Sequence, residues 1–286
     1  MLADRVTPFA FESMAVRGAL IHLSRTWRRM QRDRGYDSLV AETLGQSAAA
    51  TGLIAQSLKF DGAITLQLQG SDVLQMLVMQ CTDDLDLRGM AVVAEGHSAN
   101  NFLELVGDAR CAITVDAGER PYQGIVAIDG DSLSSSLEHY FERSVQLPSH
   151  VALVANEQVA GGILLQQMPG QRVDEDDWNR LQFLLKTVSL GDFDGEAGLD
   201  LLRKLFAEDD VRVHEPRPVA FRCRCSKQKV EDVLKMLGEK ESRAALDEQG
   251  EIEVMCEYCG RRRRFDTVDV TRLFAENAVA GPDSVQ

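Results

Sequence analysis

The chain has 286 residues, 44% of them hydrophobic and 27% charged, with a formal charge of −14. That length holds two domains, or one large domain with an appendage, and the apolar share is enough for a real core. The negative balance argues against general nucleic-acid binding, which rests on neutralising phosphates.

Met1 to Ser13 carries Asp4, Arg5 and Glu12 and no apolar run, so it does not read as a secretory leader. From Phe9 to about Arg32 apolar residues recur at helical spacing (Phe11, Met14, Leu20, Leu23, Trp27, Met30), which predicts a helix. A second, from Leu39 to Ser57, is rich in alanine and small residues and suits close approach to a neighbour. Its uncharged part, Thr43 to Leu58, is interrupted by Gln, Ser and Gly and is short for a membrane span. These features predict a soluble, cytoplasmic protein with no membrane partner.

After Lys59-Phe60-Asp61-Gly62, the alternation of Ile64, Leu66 and Leu68 with polar neighbours predicts a half-buried strand. Further strands are expected at 74–80, 89–94, 111–115, 123–128, 150–154 and 162–167, with a helix over Leu133, Leu137, Tyr140 and Phe141 that ends before Pro148. Cys81 and Cys111, on or beside these strands, read as small buried hydrophobes. Asp129-Gly130-Asp131 and Gly161-Gly162 read as turns, because neither dinucleotide nor Walker spacing surrounds them. The five histidines (His22, His97, His139, His150, His214) form no ligand pair, and His214 reads as an exposed loop residue. No nucleophile and base arrangement stands out, so the chain does not read as an enzyme.

The character changes after Met168-Pro169-Gly170. An acidic start at Asp174 and apolar positions Trp178, Leu181, Leu184, Leu185 and Val188 predict a helix. Glycines 191, 195 and 198 break it, and Leu199, Leu202, Leu205 and Phe206 form a second short amphipathic stretch. Two such helices cannot bury an apolar stripe alone. They must lie on the first domain or on something else. Pro216 and Pro218 then stiffen the approach to the densest chemistry in the chain.

That chemistry is Cys223-Arg224-Cys225, thirty residues, then Cys256-Glu257-Tyr258-Cys259. Two close cysteine pairs are what a tetrahedral metal needs, each supplying one edge, and four soft thiolates favour zinc and leave no open position. Disulfide staples of a secreted protein are the other use of such pairs, but nothing here marks secretion. Residues two apart in a strand are about 6.6 Å apart, near the upper limit for a disulfide, so Cys223 and Cys225 can join only if the backbone turns or loosens. From Phe221 to Arg264 there are eleven Lys/Arg and nine Asp/Glu. The run Arg261 to Arg264 reads either as an offset to an anionic thiolate cluster or as a phosphate grip. The expected core of this tail is thin: Val230, Val233, Leu234, Leu237, Leu246, Ile252, Val254 and Phe265. Domains this small need a staple, which a structural metal supplies.

The expected architecture is α+β: a mixed helix/sheet domain over 1–173, a helical linker over 174–215, and a small four-cysteine zinc module over 216–286. The residues also resemble the bacterial redox-regulated chaperones of the heat-shock protein 33 family, the 33 kDa chaperonins. The resemblance runs through Phe11-Glu12, 15–18, 58–62, 67–70, Arg88-Gly89, 122–124, Glu138, Tyr140-Phe141, Arg143-Ser144, 146–148, 160–162, 167–169 and the Cys-X-Cys…Cys-X-X-Cys terminus.

The resemblance implies a stress-activated, ATP-independent holdase. One zinc ion per chain would be held by Cys223, Cys225, Cys256 and Cys259 in a reduced, inactive state. Oxidants such as hypochlorite or peroxide, acting with heat or other unfolding stress, would release the metal and form Cys223–Cys225 and Cys256–Cys259 disulfides, unfolding the tail and linker and exposing surface for unfolded clients. Active forms would pair as homodimers, and clients would pass to ATP-driven refolding chaperones. The rival readings are a zinc-module nucleic-acid or ribosome-binding protein, resting on Arg261 to Arg264, and a thiol oxidoreductase using Cys256 and Cys259.

Overall fold

The computed structural model describes residues 4–96, 98–116, 121–126, 128, 130–170, 173–193 and 198–279. His97, Gly195 and Asp129, which figured in the expectations above, lie outside the described residues. Two compact units emerge, Met1–Arg222 and Cys223–Gln286.

The first unit opens with two strands, β1 (Arg5–Phe11) and β2 (Val16–Leu23), followed by a short helix α1 (Arg25–Gln31). The single helix expected from Phe9 to Arg32 is therefore wrong over most of its length. Its cause is double burial. On β2, Ala19, Ile21 and Leu23 enter one hydrophobic cluster while Val16 and Leu20 enter another. A strand buried on both faces reads as a continuous apolar run, which hides the period of two and lets a helical spacing be found by accident.

The long helix α2 (Ser38–Ser57) is present as expected, started by Asp37, whose side chain accepts from the Val40 amide at 2.9 Å. It packs against strands of both large sheets. Burial nearly all round is possible because Thr43, Ser47 and Thr51 return their hydroxyl protons to backbone carbonyls four residues earlier. A Cβ at Gly45 would meet Ala155, and one at Gly52 would meet Ile21, so these small positions set how closely the sheet approaches.

The chain continues through β3 (Ala63–Gln69), β4 (Leu74–Thr82), β5 (Asp86–Val93), α3 (Phe102–Val106), β6 (Arg110–Asp116), β7 (Tyr122–Val126), α4 (Leu133–Tyr140) with a π turn over Phe141–Val145, β8 (Ser149–Ala155) and β9 (Ala160–Gln167). These match the expected strands and helix. Gly161 and Gly162, expected as a turn, instead stand inside β9. The region expected as a helical linker follows within the first unit as α5 (Glu175–Lys186), a 3-10 turn (Leu190–Phe193) and α6 (Leu199–Leu205), then β10 (Val211–Val213), β11 (Arg217–Pro218) and β12 (Ala220–Phe221). The first sheet runs β10-β1-β2-β9-β8, with β11 also on β1, and the second runs β12-β5-β4-β3-β6-β7.

The linker helices do lie on the first sheet. Leu181, Leu185, Phe193, Leu201, Leu202, Leu205 and Phe206 are buried in one cluster with Phe9, Phe11, Ile163 and Leu165. Phe206 meets Phe11 edge-on at 5.0 Å, and Trp178 of α5 stacks on His150 of β8 at 4.1 Å. Gly161 explains its own presence in a strand: a Cβ there would sit 2.3 Å from the Phe193 ring. Arg180 clamps Asp209 through two bonds of 2.9 and 2.6 Å, tying α5 to the segment after α6.

Residues 217–222 form a strap bonded to both sheets. The Val219 amide donates to the Asp4 carbonyl, Ala220 to Leu85 and Arg222 to Leu87. Asp4 is also the cap of α1, its carboxylate accepting from the amides of Ser24, Arg25 and Thr26.

The second unit contains α7 (Lys227–Leu237), α8 (Glu239–Gln249), the hairpin β13 (Ile252–Met255) and β14 (Arg262–Phe265), and α9 (Thr267–Val279). Its core is Leu234, Leu246, Ile252, Phe265, Val270 and Leu273. Val233 and Leu237, expected inside, are 54% and 53% exposed. The buried stripe of α7 is Val230 and Leu234 instead, and α9 fills the space that Val233 and Leu237 were expected to occupy in the core.

Candidate metal centre

Cys223 and Cys225 lie on the extended segment that leads into α7, and Cys256 and Cys259 in the turn that joins β13 to β14. That turn is shaped by backbone bonds: the Cys256 amide donates to the Arg261 carbonyl at 3.0 Å and the Gly260 amide to the Cys256 carbonyl at 2.8 Å. Gly260 takes φ +67°, a left-handed conformation that favours a residue without a Cβ. The four sulfurs converge, all within 4.8 Å of one another. Sγ of Cys223 is 3.6 Å from that of Cys256, and Sγ of Cys225 is 3.5 Å from that of Cys259. A tetrahedron with metal–sulfur bonds of about 2.3 Å has edges of about 3.8 Å. The four residues singled out from sequence are thus brought together at a spacing that can hold a metal ion, and all four are free thiols, none disulfide-bonded.

Burial opposes the thiolate form at Cys223, Cys256 and Cys259, and backbone amides pull each of the three the other way. Burial raises the Cys256 thiol, but the amides of Cys259 and Tyr258 and the Cys223 thiol outweigh it, so its value falls below the ordinary one. Burial pushes Cys223 up to about 12, against the pull of the Cys225 amide, and raises Cys259 against the Arg261 amide. Four sulfurs this close cannot all ionise without a cation among them, which is the electrostatic case for a metal. The chemistry of the donor set, soft and complete at four, fits zinc.

The remaining thiols stand apart. Cys81 and Cys111 are fully buried and burial raises each to about 12, as hydrophobic packing residues should be. His214 is exposed, as expected. In the basic run, Arg262 and Arg264 bond to Glu253 across the hairpin at 2.9 and 2.8 Å. This cross-strand pairing occupies two of the four arginines that a phosphate grip would use, and proximity in sequence to Cys259 had pointed instead to the thiolates. Among the described residues no helix is long and apolar enough to cross a membrane.

With this geometry in hand, comparison with known proteins is informative. The sequence profile described as Hsp33 protein matches residues 4–266. The chain is 41% identical to the 33 kDa chaperonin of Nitrosococcus oceani, over 97% of this chain and 96% of that protein. It is 34% identical to the 33 kDa chaperonin of Methylobacillus flagellatus, over 100% and 99% of the two chains. Among solved structures, the 33 kDa chaperonin (heat shock protein 33 homolog) of Thermotoga maritima superposes with a TM-score of 0.82 over 96% of this chain and 99% of that one, at 21% identity. At that identity the likeness speaks to the fold.

Proposed function

The chain belongs to the Hsp33 family, and from that premise we propose that it is a redox-regulated, ATP-independent holdase that binds unfolding proteins under oxidative stress. The observation that carries this reading is the four-thiol cluster at the base of a unit whose core holds six buried apolar side chains. Cys223, Cys225, Cys256 and Cys259 would hold one zinc ion. Bound there, the ion ties both cysteine pairs to a single point and supplies folding free energy of about 10–16 kcal/mol, comparable to a whole domain's net stability of about 5–15.

Oxidation acts on the residues themselves. Each disulfide takes two electrons from two thiolates, and a peroxide accepts them and leaves as water or an alcohol. A sulfur in a disulfide is no longer an anionic ligand, so the second unit loses its staple. In the proposed sequence of events, driven by oxidant together with heat or other unfolding stress, the disulfides are Cys223–Cys225 and Cys256–Cys259, the tail unfolds, and the linker over 174–215 loosens from the first sheet. The apolar stripe that Leu181, Leu185, Phe193, Leu202 and Phe206 now bury would then meet clients, on a chain whose charge of −14 resists precipitation. Dimerisation of the active form, transfer of clients to ATP-driven chaperones, a cytoplasmic location and the absence of catalytic turnover belong to the same proposal, as does the division at 173/174 and 215/216.

The test measures zinc content and suppression of client aggregation together, before and after peroxide at elevated temperature. The proposal requires metal loss and activity to appear together, with peptide mapping giving the two pairings named. A truncation ending near Met168 that protects clients as well as the oxidised full chain does would remove the linker from the client surface. Activity independent of oxidation would reject the redox reading altogether.

A further inference from the structure

A cavity of about 430 Å³ opens in the first unit, bounded by the end of α2, strands β6 and β7, and the π turn after α4. Its walls are largely apolar, with Ile113, Val115, Phe141 and Val145 prominent. Two cations line it, Arg17 and Lys59. Arg180 and Arg222 each have a carboxylate partner, whereas neither of these two cations has one among the described residues. Arg17 has only neutral ones: its Nη2 donates to the Ser57 carbonyl at 3.3 Å and to Gln166 Oε1 at 3.1 Å. Its Nε is buried and bonded to nothing. Lys59, exposed at the cavity rim, makes no ion pair among the described residues.

A partly buried guanidinium without a counter-charge is costly, and a cavity of this size is in the range that encloses small molecules. An apolar chamber with a guanidinium and an ammonium in its lining is complementary to one kind of molecule: an apolar body ending in an anion. We propose that this cavity binds a medium-chain aliphatic carboxylate, its chain against Ile113, Val115, Phe141 and Val145 and its head group between Arg17 and Lys59. A planar carboxylate suits the fork of a guanidinium, and the ammonium adds a point charge from the other side. The site lies wholly in residues 1–222 and does not depend on the redox reading.

The experiment titrates decanoate, and in parallel decanol, into the full-length, reduced, metal-loaded protein carrying isotope-labelled Ile, Leu and Val methyls. Saturable shifts are expected at Ile54, Ile113, Val115 and Val145, with decanol at least about tenfold weaker because it cannot use the charges. Lys59→Gln should weaken decanoate by about tenfold and leave decanol unchanged. Because Lys59 is exposed, that variant should fold normally, whereas Arg17→Gln also loses the bonds to Ser57 and Gln166. Val145→Trp, which fills the chamber, should abolish both titrations. Absence of saturable shifts, shifts confined to other methyls, decanol binding as tightly as decanoate, or an unchanged affinity in Lys59→Gln would each overturn the proposal.

Discussion

Phe193→Ala should release the linker without any oxidant. Phe193 is 1% exposed, seated over Gly161 of β9, and its carbonyl oxygen lies 3.2 Å from Nε2 of His22. Truncating a fully buried phenylalanine costs about 3–5 kcal/mol. At about 1.36 kcal/mol per decade, that raises the undocked linker population on the order of a hundred- to a few thousand-fold. Trp178, stacked on His150, reports docking directly once Trp27, the other of the two tryptophans, is replaced by Phe. The reduced, metal-loaded variant should show altered Trp178 fluorescence, faster proteolysis within 174–215, and client protection before any peroxide is added. Gly161→Ala attacks the same contact from the sheet, since its Cβ would sit 2.3 Å from the Phe193 ring. In the double variant most of that clash is gone, so the two costs should be strongly non-additive. If the costs simply add, the ring does not sit on Gly161. If Phe193→Ala undocks the linker and clients still aggregate in its presence, linker release is not what activates the protein.

Chelation of the metal under reducing conditions should unfold 223–286 and leave the first unit's tryptophan signals native, read by circular dichroism alongside fluorescence; a tail that stays compact without metal would contradict its dependence on the ion. Under native conditions a thiol reagent plus chelator should count four reactive cysteines, with Cys81 and Cys111 reacting only in denaturant. Those two buried thiols also predict alkaline sensitivity: their folded values are raised to about 12, so the folded state holds protons that the unfolded state releases above about 8.5, and stability falls as pH rises through that window. Cys81→Ala with Cys111→Ala should flatten the slope in urea titrations, and an unchanged slope would place its origin elsewhere. Asp4→Asn should destabilise the first unit by about 1.5–3 kcal/mol, the range for bonds to a charged acceptor. Burial raises the Asp4 carboxyl, but its bonds to Thr26, Ser24 and Arg25 outweigh that and hold it below the ordinary value. The stabilisation is therefore full above the unfolded value and is lost as pH falls through the folded one, so the variant and parent should converge in acid.

The four-cysteine cluster was legible because its members come as two local pairs, and spacing within a pair survives any tertiary arrangement. The interior strands from β3 to β9 were legible because alternation or a bounded apolar run marks them. What failed has a common cause, which is contact with something distant in sequence. β1 and β2 lost their alternation because the linker, more than 150 residues later, covers their second face. Gly161 looked like a turn because Phe193, the ring that forbids a Cβ there, is 32 residues away. The surplus of apolar positions on α7 could be resolved only by α9, whose Val270 and Leu273 take the core places that Val233 and Leu237 were assigned. Arg17 looked like any other arginine, since the lack of a carboxylate around it is a property of the folded surroundings.

The strap at 217–222 gives the proposed switch two thresholds. Immediately before Cys223, the chain is bonded through Val219, Ala220 and Arg222 to Asp4, Leu85 and Leu87, acceptors on or beside strands of the two sheets. Those bonds, and the packing of Phe193 and Phe206 on the first sheet, contain no sulfur. On the proposed reading, oxidising the four cysteines would remove what holds the tail, yet would leave every one of these contacts intact. The linker must then be freed by a second input, and the contacts that retain it are the kind that heat or denaturant weakens: apolar burial and a few backbone bonds. Oxidation alone should therefore yield an unfolded tail with a docked linker, and only oxidation with thermal stress should expose the apolar stripe. These contacts fit the second, unfolding stress that the family resemblance implies, and they put the setting of the oxidised protein's response temperature in the strap at 217–222 together with the packing of Phe193 and Phe206, none of which involves the four clustered cysteines.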